Sequence, residues 1–421
     1  MSVYNLVSLS GVFLLAFIAW IFSTDRRRVN LKLVVVGLLL QFSMGAFVFL
    51  FPPGTQALLF LSHITVKIIE ASSAGIEFVF GPLGLPPGTE GSPGFILAFQ
   101  ALPTIIFFSA LMGLLYYFRV MPFIIKLFAK VFTKLLGISG AESLCTTSNI
   151  FVGIEANTTV LPYLNQMTRS ELHTILTAGM ATIASSVMGI YVLLLQSHFP
   201  NIAGHLISAS LISAPASIVM SKILLPETER PITLGTSIEP HYEREGNWME
   251  AIINGATAGG KLVMGIIVLL VAFLGMVRLL NMGIGSIGGI HLETILAYPF
   301  YPLSLAIGVP PSDAMEIARL LGERMILTEI PAYQHLNDLL AHGALHDGRS
   351  AVIAAYALCG FAHLSSVAIF VGGTAALVPE RTLTLAQIAM RSFLAATLAC
   401  LMTAAVAGTF YGKGSLLFLA N

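Results

Sequence analysis

The sequence predicts an all-α polytopic membrane protein: eight transmembrane helices, two re-entrant helical hairpins and an interfacial amphipathic helix, arranged as inverted repeats. Of the 421 residues, 56% are hydrophobic and 10% charged, whereas soluble domains carry about 25% charged residues. Several windows reach the roughly 20 apolar residues that span a bilayer. Two further apolar segments, in corresponding halves of the chain, are broken by Gly, Pro and acidic residues, which is typical of inverted repeats.

Charge and cysteine content exclude other classes of protein. Lys plus Arg and Asp plus Glu are 21 each, so the net charge is zero and no basic excess indicates a nucleic-acid partner. We expect membrane lipid to surround the protein. Cys145, Cys359 and Cys400 lie in apolar stretches without metal-binding spacing, and we interpret them as packing residues.

Eight uninterrupted apolar stretches are predicted to span the membrane. They are residues 6–22, 33–51, 95–118, 174–195, 202–225, 254–280, 351–377 and 394–410. The first stretch lacks a basic segment before it and a cleavage site after it, so we interpret it as a span rather than a signal peptide. Basic residues at 26–28 and 32 predict that the following loop is cytoplasmic. We therefore expect both termini outside the cell, and the inner (plasma) membrane of a bacterium as the location.

The segment between the second and third spans has a different pattern. In residues 55–80, His63, Lys67, Glu70 and Glu77 fall on one helical face, which indicates an amphipathic helix. We expect this helix to lie in the membrane plane.

The two broken segments, residues 138–165 and 301–342, are predicted to form the re-entrant hairpins. Each carries a glutamate and is followed by a span containing a Ser-Ser pair. The spacing is 31 residues from Glu155 to Ser186 and 37 residues from Glu329 to Ser366. These similar spacings favour two hairpins, each packed on a helix with a polar centre.

Acidic residues in the broken segments are candidates for function. A carboxylate at membrane depth costs about 2.5 to 3.5 kcal/mol, so Glu155 and Glu329 are expected to have a functional role. The alternative is that such a residue caps a helix or pairs with a lysine. We prefer this alternative for Glu142, Asp313 and Glu316, since Asp313 follows a Pro-Pro-Ser run typical of a helix start.

Neutral oxygens and one histidine form the second group of candidates. The side chains of Asn149 and Thr182 and the backbone near Val152 and Ile183 suit a small hard cation such as Na+. Hydrogen bonding between helices explains such residues equally well. His363 lies in a stretch without formal charge, where it is either a packing residue or a residue for substrate contact or proton handling.

Two enzyme-like patterns are weak. Residues 255–261 fit GxxxxGK, but Leu262 follows where a phosphate-binding loop needs Ser or Thr. We interpret them as small residues that let helices pack closely. The sequence contains no HExxH or GxSxG, so an intramembrane hydrolase lacks its usual signature.

Several stretches together resemble one known family, the concentrative nucleoside transporters. They are Asn-Ile-Phe-Val-Gly at 149–153 with Glu155, Met-Thr-Arg-Ser-Glu-Leu-His at 167–173, Asn-Gly-Ala-Thr-Ala-Gly-Gly-Lys at 254–261, Leu-Thr-Glu-Ile-Pro-Ala-Tyr at 327–333, Cys-Gly-Phe-Ala-His-Leu-Ser-Ser at 359–366, Gly372-Gly373 and Pro-Glu-Arg at 379–381. They occur in the family's order over most of the chain.

The resemblance implies a homotrimer of eight-span protomers that moves its transport domain like an elevator. It implies four divisions: N-terminal scaffold spans with the interfacial helix (1–118), a first transport repeat (119–225), a cytoplasmic segment with a scaffold span and outer loop (226–300), and a second transport repeat with the last spans (301–421). It also implies that Asn149, Val152, Thr182 and Ile183 bind Na+.

The resemblance further assigns the substrate site. Glu155 and Val187 match positions that face the nucleobase, Glu329, His363 and Ser366 match ribose-binding positions, and Phe361 lines the site. Two departures concern the pocket. The family's Gly-Gln-Thr-Glu turn is Gly-Ile-Glu at 153–155, with one residue deleted, and another placement of the gap sets Glu155 opposite the Thr. His363 stands where the family has Asn.

The resulting hypothesis is a cation-coupled symporter that imports nucleosides across the inner membrane, with Na+ as coupling ion and H+ as the alternative. Two further alternatives stay open. One is a proton-coupled transporter of a different nucleoside-like solute. The other is a membrane-embedded enzyme that acts on a lipid or nucleotide head group.

Overall fold

The computed structural model describes residues 2–86, 88–242, 245–288 and 292–412, without the side chains of 285–288. These residues form eighteen α-helices. The helices are α1 Val3–Ile21, α2 Leu31–Phe49, α3 Pro52–Phe80, α4 Leu97–Gln100, α5 Thr104–Tyr117, α6 Val120–Leu136, α7 Gly140–Ser148, α8 Leu161–Leu164, α9 Arg169–Ala181, α10 Ser185–Leu195, α11 Ile202–Leu224, α12 Trp248–Gly288, α13 Leu292–Ala306, α14 Ala314–Ile326, α15 Glu329–Ala341, α16 Gly348–Leu358, α17 Leu364–Leu377 and α18 Thr382–Phe410.

Eight helical stretches of the described residues are long and apolar enough to cross a membrane. They are Val3–Ile21, Leu31–Phe49, Pro52–Gly84, Leu97–Tyr117, Arg169–Leu195, Ile202–Leu224, Trp248–Ile284 and Pro379–Phe410. The all-α membrane fold is therefore confirmed. The set differs from the predicted one because it includes Pro52–Gly84 and omits 351–377. The predicted position of the C-terminus lies outside the described residues.

Two of the predicted uninterrupted spans are in fact broken. Residues 174–195 are divided between α9 and α10, and residues 351–377 between α16 and α17. The chain is extended at Thr182 (φ −113°, ψ 167°) and at His363 (φ −135°, ψ 163°). The prediction was wrong because a hydropathy window averages over such short breaks, and neither break contains a proline.

Helix α3 is amphipathic, as predicted. Its buried residues recur every three or four positions, at Ser62, Thr65, Ile69, Ser72 and Ile76. The opposite face carries the charged residues. Its placement in the membrane plane stays a prediction, since its length also suffices for a span.

The helices pack into two groups. Helix α12 packs mainly along α5, where a Cβ added to Gly259 would lie 2.8 Å from Ile106 Cα and one added to Gly255 would lie 2.5 Å from Ser109 O. This is the small-residue packing predicted for the GxxxxGK pattern. Helices α1 and α2 instead pack against α18 and α11, together with both broken spans.

The two broken spans meet at their breaks. A Cβ on Gly360 would lie 2.9 Å from Ala181 O, the last carbonyl of α9, and 2.6 Å from Cys400 Sγ. The Cys400 thiol donates to Ala181 O and Cys359 O at 3.7 Å each. This close approach places the non-helical backbone of both repeats at one point inside the protein. All three cysteines are buried free thiols.

The acidic residues that we expected to be structural do form caps and ion pairs. Glu142 accepts a hydrogen bond from Ser139 N at the start of α7 and pairs with Lys222. Asp313 accepts a hydrogen bond from the Ser350 hydroxyl (2.6 Å) before α14, and Glu316 pairs with Arg319. Glu142 and Glu316 behave as expected, whereas the Asp313 side chain makes no cap bond at α14 and instead accepts hydrogen bonds around the start of α16.

Candidate functional site

A cavity of about 260 Å³ lies where the two breaks, both broken segments and α12 meet. Eight of the ten predicted site residues line it: Asn149, Val152, Glu155, Thr182, Val187, Glu329, Phe361 and His363. Ser366 and Ile183 do not. A larger cavity of about 520 Å³ shares Val152, Gly153, Glu155, Ser186 and Leu262 with it. The candidate site therefore continues into a second, wider chamber.

Glu329 is the first residue of α15 and is buried in the wall of the cavity. Its Oε1 accepts a hydrogen bond of 2.6 Å from the Tyr191 hydroxyl. Its Oε2 lies 3.2 Å from His363 Nε2. The two atoms are close enough for an ion pair but are not aligned for a hydrogen bond, and neither has another hydrogen-bond partner among the described residues. The carboxylate oxygen and the imidazole nitrogen therefore face each other and no other polar group of the described residues.

Hydrogen bonds at Nδ1 define the tautomer of His363. The Ser366 backbone N–H donates to Nδ1 at 3.1 Å, as the N-cap bond of α17. Ser365 Oγ lies 2.6 Å from the same nitrogen. Since Nδ1 accepts a hydrogen bond, the proton of a neutral ring is on Nε2, which faces Glu329. The site thus presents an N–H donor beside a carboxylate acceptor.

The Ser366 hydroxyl is occupied within the backbone of its own helix turn. It donates to His363 O at 2.6 Å and accepts from His363 N at 3.3 Å, which completes a capping box. Its predicted contact with a ribose stays a prediction. Phe361 lies on the cavity wall, with its ring centroid 5.6 Å from that of His363.

The opposite end of the cavity is formed by the first broken segment and α12. Glu155 is exposed there and lines both chambers. Val187 is buried on α10 and supplies an apolar wall. Ile154 packs on α17, where a Cβ on Gly373 would lie 2.6 Å from Ile154 Cγ1. The residue that replaces the family's Gln therefore fills the space beside α17.

The predicted cation residues meet at the first break. Asn149 ends α7, and its Nδ2 donates to Cys145 O at 3.0 Å, which fixes the orientation of the amide. Its Oδ1 is buried and has no hydrogen-bond partner within the described chain. The Thr182 hydroxyl donates to Asn149 O at 2.9 Å or to Ala178 O at 2.8 Å. An orphaned oxygen beside broken helix ends fits a hard cation such as Na+.

Val152 and Ile183, whose backbone carbonyls were predicted to bind the cation, differ in position. Val152 lines the cavity, and its N–H donates to Ser148 O at 2.9 Å. Ile183 lies in the break, where its carbonyl accepts a hydrogen bond of 3.3 Å from the Ser210 hydroxyl. The participation of either carbonyl in cation binding stays a prediction.

Sequence reasoning missed Lys261 and Thr328, which line the cavity, and Tyr191, which bonds to Glu329. Tyr191 is fully buried on α10 and bonds to Glu329, which is 138 positions away in the chain. A tyrosine in an apolar run gives no local signal, whereas Lys261 could have been found as an isolated charge within a predicted span.

Broken helices whose ends meet at an internal cavity define the class: a multi-pass membrane protein built like a secondary transporter. The comparisons with known proteins agree. Family models described as Na+ dependent nucleoside transporter N-terminus and C-terminus match residues 10–83 and 205–408, and one described as Nucleoside recognition matches residues 98–197. The chain belongs to the concentrative nucleoside transporter family.

Individual relatives cover nearly the whole chain. It is 34% identical to Nucleoside permease NupC of Helicobacter pylori over 418 residues, covering 97% of this chain and 98% of the permease. It is 36% identical to human Solute carrier family 28 member 3 over 425 residues, covering 96% of this chain but 60% of that protein. The solved structure of CNTnw in an inward-facing substrate-bound state is 35% identical, with a TM-score of 0.90 and coverage of 97% and 98%.

Proposed function

We propose that this protein imports nucleosides across the bacterial inner membrane by cation symport. The observation that carries the proposal is the buried pair beside the cavity, Glu329 Oε2 and His363 Nε2, which lie 3.2 Å apart and have no other hydrogen-bond partner among the described residues. A carboxylate acceptor beside an N–H donor is complementary to two neighbouring sugar hydroxyls, each of which both donates and accepts. Glu155 and Val187 would then face the base.

Na+ is the proposed coupling ion. The orphaned Asn149 Oδ1 and the broken backbone at Thr182 supply neutral oxygens without a titratable side chain. The titratable pair formed by His363 and Glu329 in the same cavity supports H+ as the second candidate. A potential of 100 mV supplies about 2.3 kcal/mol per charge, so one cation of either kind drives substantial accumulation.

The packing of the helices supports elevator-type movement. Helices α5 and α12 form one closely packed pair, and the cavity lies between α12 and the two repeats. We propose that the repeats, residues 119–225 and 301–421, move against this pair. The packing of α1 and α2 on α11 and α18 favours their moving with the repeats. The scaffold is then the rest of residues 1–118 together with residues 226–300. The homotrimer and the external termini remain proposals from the family resemblance.

Uptake of radiolabelled uridine into proteoliposomes tests the function. Accumulation of intact uridine that needs an inward Na+ gradient supports symport. Chemical conversion without accumulation would instead support the membrane-embedded enzyme, which the transporter relatives already disfavour. A thermal-shift screen with nucleosides, nucleobases and sugars identifies the substrate class, because a ligand stabilises by RT ln(1 + [L]/Kd).

A further inference from the structure

Three side chains on one face of α7 leave buried oxygens unused. Ser143 Oγ, Thr146 Oγ1 and Asn149 Oδ1 have no hydrogen-bond partner in the part of the chain that the structure describes. The residues are at most 1% exposed. They are three positions apart, so they follow one another at intervals of about 4.5 Å along the helix.

Their neighbours on the same helix behave differently. The Thr147 hydroxyl donates to Ser143 O at 2.6 Å, and the Ser148 hydroxyl donates to Leu144 O at 2.8 Å. This bond to the preceding turn is the usual arrangement for a buried hydroxyl in a helix. Ser143 and Thr146 are oriented away from it, and a buried polar group without a partner indicates water or an ion that the protein holds there.

The row of oxygens extends from the proposed cation site to the ion pair of Glu142 and Lys222. At one end, Asn149 and Thr182 form the proposed cation site. At the other, Glu142 pairs with Lys222, and Lys222 Nζ donates to Ser170 Oγ at 3.0 Å at the start of α9. Helices α7 and α9 pack against each other. We call the row formed by Ser143, Thr146 and Asn149 the α7–α9 seam.

The Glu142 end of the seam reaches the predicted cytoplasmic segment. Gly140 N donates to Thr233 O at 2.9 Å, and Glu227 pairs with Lys222 at 3.3 Å with its side chain 24% exposed. Two carboxylates thus share one lysine at this end. Carboxylate oxygens are ligands that a hard cation prefers.

We propose that the α7–α9 seam is the hydrated route by which the coupling cation passes between Asn149 and the cytoplasmic face. The proposal rests on the proposed cation symport. Successive oxygens one turn apart replace part of the cation's hydration shell, and water completes it. The nucleoside takes another route, through the larger chamber. The alternative is that the cation leaves through the substrate cavity, which Asn149 and Thr182 also line.

A pair of isosteric substitutions tests the route. Thr146→Val removes an orphaned hydroxyl, and Thr147→Val removes a hydroxyl bonded to its own helix. Each variant is measured in three ways: stabilisation of the purified protein by Na+, Na+-driven uridine uptake into proteoliposomes, and uridine exchange with equal high Na+ on both sides. Exchange does not require cation exit, because the loaded protein returns with its cation.

For Thr146→Val we expect an unchanged half-saturating Na+ concentration, unchanged exchange, and net uptake slowed about tenfold by the loss of one oxygen ligand. Thr146→Ser restores the hydroxyl and should restore uptake. Thr147→Val should match wild type in all three measurements. Should Thr146→Val be unstable, Ser143→Ala provides the same comparison at the next turn.

Several results overturn the route. One is net uptake by Thr146→Val within twofold of wild type. Another is an equal loss in Thr146→Val and Thr147→Val, which indicates packing alone. A third is a loss of Na+ affinity in Thr146→Val, which assigns its hydroxyl to the binding site. The failure of the proposed function is separate, because it appears in wild type: uptake and melting temperature that do not respond to Na+ refute sodium symport, and the sodium route with it.

Discussion

Replacing Glu329 by glutamine is the most direct test of the substrate site. The carboxylate is 2% exposed and accepts a hydrogen bond of 2.6 Å from Tyr191. Its other oxygen lies 3.2 Å from His363 Nε2. The substitution keeps the shape of the side chain and exchanges one acceptor oxygen for an NH2 donor, which then faces either the Tyr191 hydroxyl or the His363 N–H.

The expected loss of nucleoside affinity follows from the hydrogen bond that the substitution removes. A hydrogen bond to a charged group contributes about 1.5 to 3 kcal/mol. Loss of one such bond to a sugar hydroxyl therefore weakens nucleoside binding by roughly 10- to 150-fold. We expect uptake at micromolar uridine to be abolished, while folding and assembly stay intact.

The assay combines uptake with binding. Uridine uptake is measured in proteoliposomes, uridine affinity by thermal shift, and assembly by size-exclusion chromatography. Glu316→Gln is the matched control, because this glutamate lies on neighbouring α14, is partly exposed and pairs with Arg319. Uptake by Glu329→Gln near the wild-type rate would refute the assignment of Glu329 to the sugar, whatever the control shows.

Three further predictions concern the cation, the histidine and the fold. Replacing external Na+ by choline should stop uptake, while a protonophore should leave uptake unchanged. Thr182→Val should raise the half-saturating Na+ concentration about tenfold. Uptake that continues in choline but stops with the protonophore would assign H+ as the coupling ion. His363→Ala should lower both uridine affinity and the melting temperature, because it removes the acceptor of the Ser366 amide and the nitrogen that faces Glu329, whereas His363→Asn should keep the helix cap; unchanged uridine affinity in His363→Ala would show that His363 is a packing residue. Gly360→Ala should lower the melting temperature strongly, because its Cβ would lie 2.6 Å from Cys400 Sγ and 2.9 Å from Ala181 O; an unchanged melting temperature would contradict the close contact of the two breaks.

Much of the fold was predictable because membrane helices depend on apolar length, which the sequence shows directly. The breaks within residues 174–195 and 351–377 were not, since they are only a few residues long and contain polar groups that a spanning helix also tolerates. The cost of a carboxylate at membrane depth, together with the spacing to the Ser-Ser pairs, drew attention to Glu155 and Glu329. These signals did not find Tyr191, because its partnership with Glu329 depends on how α10 and α15 pack.

The sequence also could not show that the hydroxyls of Thr146 and Thr147 differ in their hydrogen bonding. Both are threonines in the same polar run, and a helical period alone does not say which hydroxyl bonds to its own backbone. The contact of Gly360 with the end of α9 is another case, because it joins positions about 180 residues apart through α18. Such details depend on tertiary packing.

The two ring nitrogens of His363 make different contacts, and this limits which residues can replace His363. Nδ1 accepts the cap bond of α17, and Nε2 lies 3.2 Å from Glu329 Oε2. A substitution that alters the sugar-binding side must therefore also supply an acceptor for the Ser366 amide, or the helix loses its cap. Saturation mutagenesis at this position, followed by selection for altered nucleoside range, should recover mainly Asn, Asp, Ser and Thr, the residues that cap helices well. Adaptation of the pocket to new substrates is thereby restricted to side chains that preserve the start of the helix.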